Sequence, residues 1–97
     1  MELEYLFEEV EEQEVRYTGI VSNDRRYDIG VVRSRQFLGK SLVFSLQNQV
    51  LLLMSKEDIN DETYWSEKLG VYLEDIDILK GFFRSILQPM HPSLEDY

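Results

Sequence analysis

With 97 residues, the chain has the length of a single domain, able to hide a little over roughly 60% of its extended surface. A hydrophobic fraction of 43% excludes wholesale disorder, and the lack of any cysteine excludes disulfides, thiolate metal ligation and thiol nucleophiles. The net charge of -9 opposes nucleic acid and anionic membrane across the surface as a whole, leaving only local basic contacts open.

The charges are segregated along the chain. Residues 1–15 hold seven acids and no base, whereas residues 16–40 hold six bases against Asp24 and Asp28. Leu3, Tyr5 and Phe7 alternate with glutamates, which predicts a short first strand. The run from Glu8 to Glu14 repels itself too strongly to be core, so residues 1–14 read as an acidic strand and arm. Val15 to Val21 is rich in β-branched and aromatic residues and predicts the next strand, with Gly19 marking a bulge or a close backbone approach. Ser22-Asn23-Asp24 is turn chemistry, placing Arg25 and Arg26 at or near the loop tip. Tyr27, Ile29 and Val31 then alternate with Asp28, Gly30 and Val32 as a further strand, and Phe37-Leu38-Gly39-Lys40 is a wider connection whose glycine takes a positive φ.

From Ser41 to Ser55 there is no charge at all. Leu42, Phe44 and Leu46 alternate with smaller residues, while Val50 to Met54 does not alternate and reads as a strand buried on both faces. Gln47-Asn48-Gln49 joins them as a turn in which Asn48 suits the left-handed conformation. The spacing of Trp65, Leu69, Val71 and Leu73 predicts a last strand over 66–73, weakened by Gly70. Asp75 then offers an N-cap, and Ile76, Ile78, Leu79, Phe82, Phe83, Ile86 and Leu87 recur at helical spacing until Pro89. Gly81 inside that helix predicts a close crossing, and residues 89–97 form a tail. The whole reads as one α+β domain over 1–97, an antiparallel meander of about five strands, curved or barrel-like, with the helix at 75–88 packed on it. The uncharged stretch is too short and too polar at its middle to span a bilayer, and an acidic start is unlike an export signal. A cytoplasmic protein without membrane contact is expected.

Met-Glu-Leu-Glu-Tyr-Leu at the start, Val15-Arg16-Tyr17, Tyr27-Asp28-Ile29-Gly30, Phe37-Leu38-Gly39-Lys40 and a closing helix together resemble a family of small acidic proteins of Gram-positive bacteria, a domain of unknown function. The resemblance covers most of the chain and implies a bacterial cytoplasmic setting. It carries over no catalytic residue, ligand or partner.

Candidate chemistry is sparse. Ser34 to Ser41 falls one residue short of a phosphate loop, but serine replaces its first glycine and a strand follows where a helix is needed. Asp58, Asp61 and Glu62 lack the alternation and central glycine of a calcium loop and read as caps. His91, the single histidine, lies in a proline-flanked tail with no orienting partner. No nucleophile, base and orienting group can be named together, so neither enzyme chemistry, cofactor nor metal is expected.

Two features carry more weight. Arg25, Arg26, Arg33 and Arg35 with Tyr27 form a basic island, which either pairs with the acidic arm or, in the alternative reading, binds single-stranded nucleic acid. The second feature is apolar surplus: one helix covers one sheet face, and the hairpin and helix hold more apolar surface than that. The preferred reading is a non-enzymatic interaction or regulatory module, homodimeric, with Phe82, Phe83, Ile86 and Leu87 in the apolar contact. In it, the acidic arm and Arg25-Arg26 give charge complementarity to a protein partner.

Overall fold

The fold is a computed structural model that describes Glu4, residues 6–33 and residues 37–87. Strands β1 (Val15–Ser22), β2 (Arg25–Arg33), β3 (Ser41–Ser45) and β4 (Val50–Met54) form one open antiparallel sheet in sequence order. Two helices follow, α1 (Glu62–Leu69) and α2 (Ile76–Ile86), with a 3-10 turn before each (Lys56–Asn60 and Leu73–Asp75). The α+β meander and the C-terminal helix are as expected; the fifth strand and the barrel-like closure are not.

Each discrepancy has a local cause. Glu4 and Leu6 to Glu14 take neither helix nor strand, because closely spaced glutamates leave no apolar stripe to pair on a sheet. Leu3 and Tyr5, the other half of that predicted strand, lie outside the described residues, as do Arg35, His91 and the tail. The predicted strand at 66–73 is instead α1 and the turn after it. Gly70, read as a weakness in a strand, is a helix stop with φ of 72° and ψ of 34°. A side chain there would also run into Asn48, whose Nδ2 donates to the Leu69 carbonyl at 2.6 Å. In the β3–β4 turn it is Gln49 (φ 56°), and not Asn48, that takes the left-handed position.

The β1–β2 hairpin turns on Asn23 (φ 50°) and Asp24 (φ 63°), the doubly left-handed geometry that matches strand twist. Its register runs unbroken from Val15↔Val32 to Ser22↔Arg25, so Gly19 marks no bulge. It leaves room instead for the Arg26–Asp28 pair, whose atoms lie 3.2–3.3 Å from where a Cβ would sit. Gly39 takes the expected positive φ, at 88°.

One face of the sheet is covered by the helices. Tyr27, Ile29, Val31, Val43, Leu52 and Met54 point into this core and meet Ile59, Trp65, Leu69, Leu79, Phe83 and Ile86. Trp65 is fully buried, donates its indole N–H to the Ile59 carbonyl at 3.0 Å and meets the Phe83 ring edge-on, centroids 5.2 Å apart. Of the acids at 58–62 that read as caps, Asp58 closes a capping box with Ser55, Asp61 precedes α1 without a side-chain cap bond, and Glu62 forms an ion pair instead. The Asp58 carboxylate accepts from the Ser55 N–H at 2.8 Å and pairs with Lys40 at 3.2 Å, while Glu62 holds Lys80 at 2.5 Å. Gly81 faces open space, with nothing within 4 Å of a Cβ built there, so no close crossing accounts for it. Gly81→Ala is therefore expected to stabilise the fold by about 1 kcal/mol, read from the urea midpoint at unchanged slope.

Candidate functional site

Side chains alternate across a strand, so every residue facing the helices has neighbours facing the other way. The registers line these up in two rows across all four strands: Tyr17, Gly30, Phe44, Leu51 and, next to it, Val15, Val32, Leu42, Leu53. No residue in either row is charged. This second face has no helix on it among the described residues. Tyr17 and Leu51 are 69% and 65% exposed, and Leu53 and Val15 are more than a third exposed.

Glycine shapes the middle of this face. A Cβ on Gly30 would lie 2.0 Å from the Phe44 ring, so the ring rests directly on the β2 backbone. Tyr17 closes on it edge-to-face at 6.0 Å between centroids. The result is an apolar patch in which the two rings stand nearly at right angles, with planes 77° apart. Towards the β1–β2 turn the face becomes polar, with Arg26 Nε 2.9 Å from Asp28 Oδ1.

The expectation that Val50–Met54 is buried on both faces is thus corrected. Val50, Leu52 and Met54 face the helices, while Leu51 and Leu53 face outwards, because the described residues supply only one helical layer. The residues predicted for the apolar contact also move. Phe83, Ile86 and Leu87 are at most 4% exposed, enclosed by their own subunit, and Phe82 packs against the same core. Half the circumference of α2 is apolar because that helix meets both the sheet and the segment holding Trp65, and only Ile78 is left half exposed. The surplus is real, but it sits on the sheet.

Arg25 and Arg26 are placed apart in role. Arg25 reaches across to the start of α2: Nη1 lies 3.0 Å from Asp75 Oδ2, Nη2 lies 2.7 Å from Glu74 Oε1, and the guanidinium sits 3.9 Å above the Tyr72 ring. Asp75 itself, expected as an N-cap, turns its carboxylate away from α2 towards the hairpin. It is fully buried and accepts from Ser22 Oγ (2.7 Å), Asn23 Nδ2 (2.7 Å), Tyr27 Oη (2.5 Å) and Arg25. The Tyr27 hydroxyl holds the Asp75 carboxyl far below the usual carboxylate range; burial opposes this, and Ser22, Asn23 and Arg25 reinforce it. Burial, and then the bond to Asp75, raise the Tyr27 phenol. Every donor and both oxygens are engaged, so the cluster is an anchor joining the β1–β2 turn to α2. Arg33 donates to the Ile86 carbonyl, pinning the end of the same helix.

Sequence reasoning singled out neither Asp75 as a hub nor Tyr17, Phe44, Leu51 and Leu53 as a surface. The register that aligns them across four strands is a tertiary fact. Its one sequence signal was the missing alternation in Val50–Met54. No helix among the described residues is long and apolar enough to cross a membrane.

No curated protein matches the chain. The family model described as SAV0927-like matches residues 6–85, which takes in all four strands and nearly all of α2. The resemblance to a domain of unknown function is borne out by that match, and the protein belongs to the SAV0927-like family.

Proposed function

We propose that the protein is a non-enzymatic protein-interaction module that works as a homodimer and offers its bare sheet face to a protein partner. The observation that carries this is the pair of uncharged rows crossing the sheet, with Tyr17 and Leu51 each about two-thirds exposed. Contiguous apolar surface of this kind is costly in water and is characteristic of contact sites. The face is also pre-shaped: the end of the Phe44 ring occupies the space left by Gly30 and meets Tyr17 edge-on, so little side-chain freedom is lost when a partner binds.

An alternative, single-stranded nucleic acid on the basic island, has less support. Arg25 is held by Asp75 and Glu74, Arg26 pairs with Asp28, and Arg33 is tied to Ile86, so three of its four arginines have carboxylate or carbonyl partners within the subunit. The fully engaged oxygens of Asp75 likewise support a structural rather than catalytic carboxylate. A cytoplasmic setting belongs to the same proposal.

The double substitution Tyr17→Ser with Leu51→Asn tests the reading. Both residues are exposed, so the melting temperature should stay within about 3 °C of the parent. Partner capture from the native host should fall at least about tenfold. Capture undiminished by the substitutions would sink the assignment of this face.

A further inference from the structure

We propose that two copies join along the outer edges of β1, running antiparallel, so that the acidic arm of each lies against the basic turn of the other. This rests on the homodimer proposed above and says where it forms.

Edge strands are ordinarily protected, by proline, by bulges, by shortness or by several charges. β1 has little of this protection. It is eight residues long, contains no proline, carries Arg16 as its one charge, and keeps an uninterrupted register with β2. Among the described residues no strand pairs with its outer side. The opposite edge, β4, is five residues long, and the Tyr64 hydroxyl donates to its Leu53 carbonyl at 2.9 Å. An edge row of backbone donors and acceptors is a template for another strand, and the strand that matches β1 in length and twist is β1 of a second copy.

Charge fixes the direction. Glu8, Glu9, Glu11, Glu12 and Glu14 precede Val15, while Arg25 and Arg26 stand beside Ser22 at the other end of β1. At about 3.4 Å per residue these ends are roughly 24 Å apart. An arm that continues the line of β1 therefore leads away from its own basic turn. In an antiparallel pair centred near Thr18–Gly19, Glu14 comes opposite Ser22–Asp24 of the other copy. Glu12 then comes within reach of that copy's Arg26. Arg26 is 70% exposed even though it pairs with Asp28, so it can accept a further carboxylate. Two-fold symmetry makes each such contact twice. The pairing also joins the two bare faces edge to edge, so the homodimer presents one broader platform and its partner site stays uncovered.

Because the chain contains no cysteine, single cysteine variants of residues 1–97 report proximity without background. Thr18→Cys and Gly19→Cys flank the proposed axis; Leu51→Cys lies on the bare face. Under mild oxidation, a disulfide-linked dimer from Thr18→Cys or Gly19→Cys, with none from Leu51→Cys, is the expected result. Cross-linking from Leu51→Cys alone would show face-to-face association and overturn the edge pairing while leaving the homodimer standing. A strict monomer by light scattering at tens of micromolar would remove both. Arg26→Glu should weaken the dimer about tenfold at low salt, and adding Glu12→Arg should restore it. Dimer affinity unmoved by either change would overturn the arm-to-turn contact.

Discussion

Asp75→Ala is expected to lower the midpoint of thermal unfolding by roughly 10 °C or more, followed by circular dichroism. The carboxylate is fully buried and gathers Ser22, Asn23, Arg25 and Tyr27. Removing it leaves Ser22, Asn23 and Tyr27 without their shared acceptor and takes one of two carboxylate partners from the Arg25 guanidinium, which keeps Glu74. Asp75→Asn keeps the volume but turns an NH2 donor towards groups that are themselves donors, so it should be nearly as damaging. A midpoint within 2–3 °C of the parent for both variants would show that the cluster is not the anchor described above.

The same group sets the acid limb of stability. Its folded-state carboxyl is held below the ordinary aspartate value, by Tyr27 first and by Ser22, Asn23 and Arg25 as well, against the opposing effect of burial. A depressed value means that the unfolded chain takes up the proton first. The stabilisation is complete above the unfolded value near pH 4 and drains away as pH falls towards the folded one. Asp58 adds a smaller contribution of the same sign: burial would raise its carboxyl, but the Ser55 N–H, Lys40 and the Ser55 hydroxyl together lower it. The parent should therefore lose stability steadily from about pH 5 down to pH 2, and Asp75→Asn should show a shallower slope over that window. Equal slopes would contradict the assignment.

Phe83→Ala is expected to cost about 3–5 kcal/mol in urea unfolding, a large share of the stability of a domain this size. The ring is fully buried and meets Trp65 edge-on, with planes 80° apart, so its removal leaves a cavity against the largest side chain of the core. Trp65, the single tryptophan, reports the change directly through its fluorescence. Phe83→Leu, which keeps most of the volume, should cost under about 2 kcal/mol and ensures a folded variant for comparison. Unaltered stability with weakened association would instead place Phe83 at a contact surface, as its sequence pattern first suggested.

What could be read from sequence followed from local physics. The meander was legible because Val15–Val21 and Tyr27–Val31 alternate between obvious turn residues, and α2 because Ile76, Leu79, Phe83 and Ile86 keep a period of 3.6. The errors came where one residue type serves two roles. Gly70 weakens a strand but ends a helix, and only the αL conformation after Leu69 tells which applies. Asp75 stands where an N-cap belongs, yet its partners lie about 50 residues away, and no local pattern could point to them. The apolar surplus was legible in amount but not in place, since Leu51 and Leu52 read alike until the register sends them to opposite faces.

The bond from Ser22 to Asp75 closes a ring over more than half the chain. During synthesis the first hairpin can zip early, but its tip lacks the Asp75 acceptor until that residue has left the ribosome. A nascent chain stalled before that point would carry a finished ribbon with a dangling cationic tip and an unroofed greasy underside, which is the form a chaperone would meet.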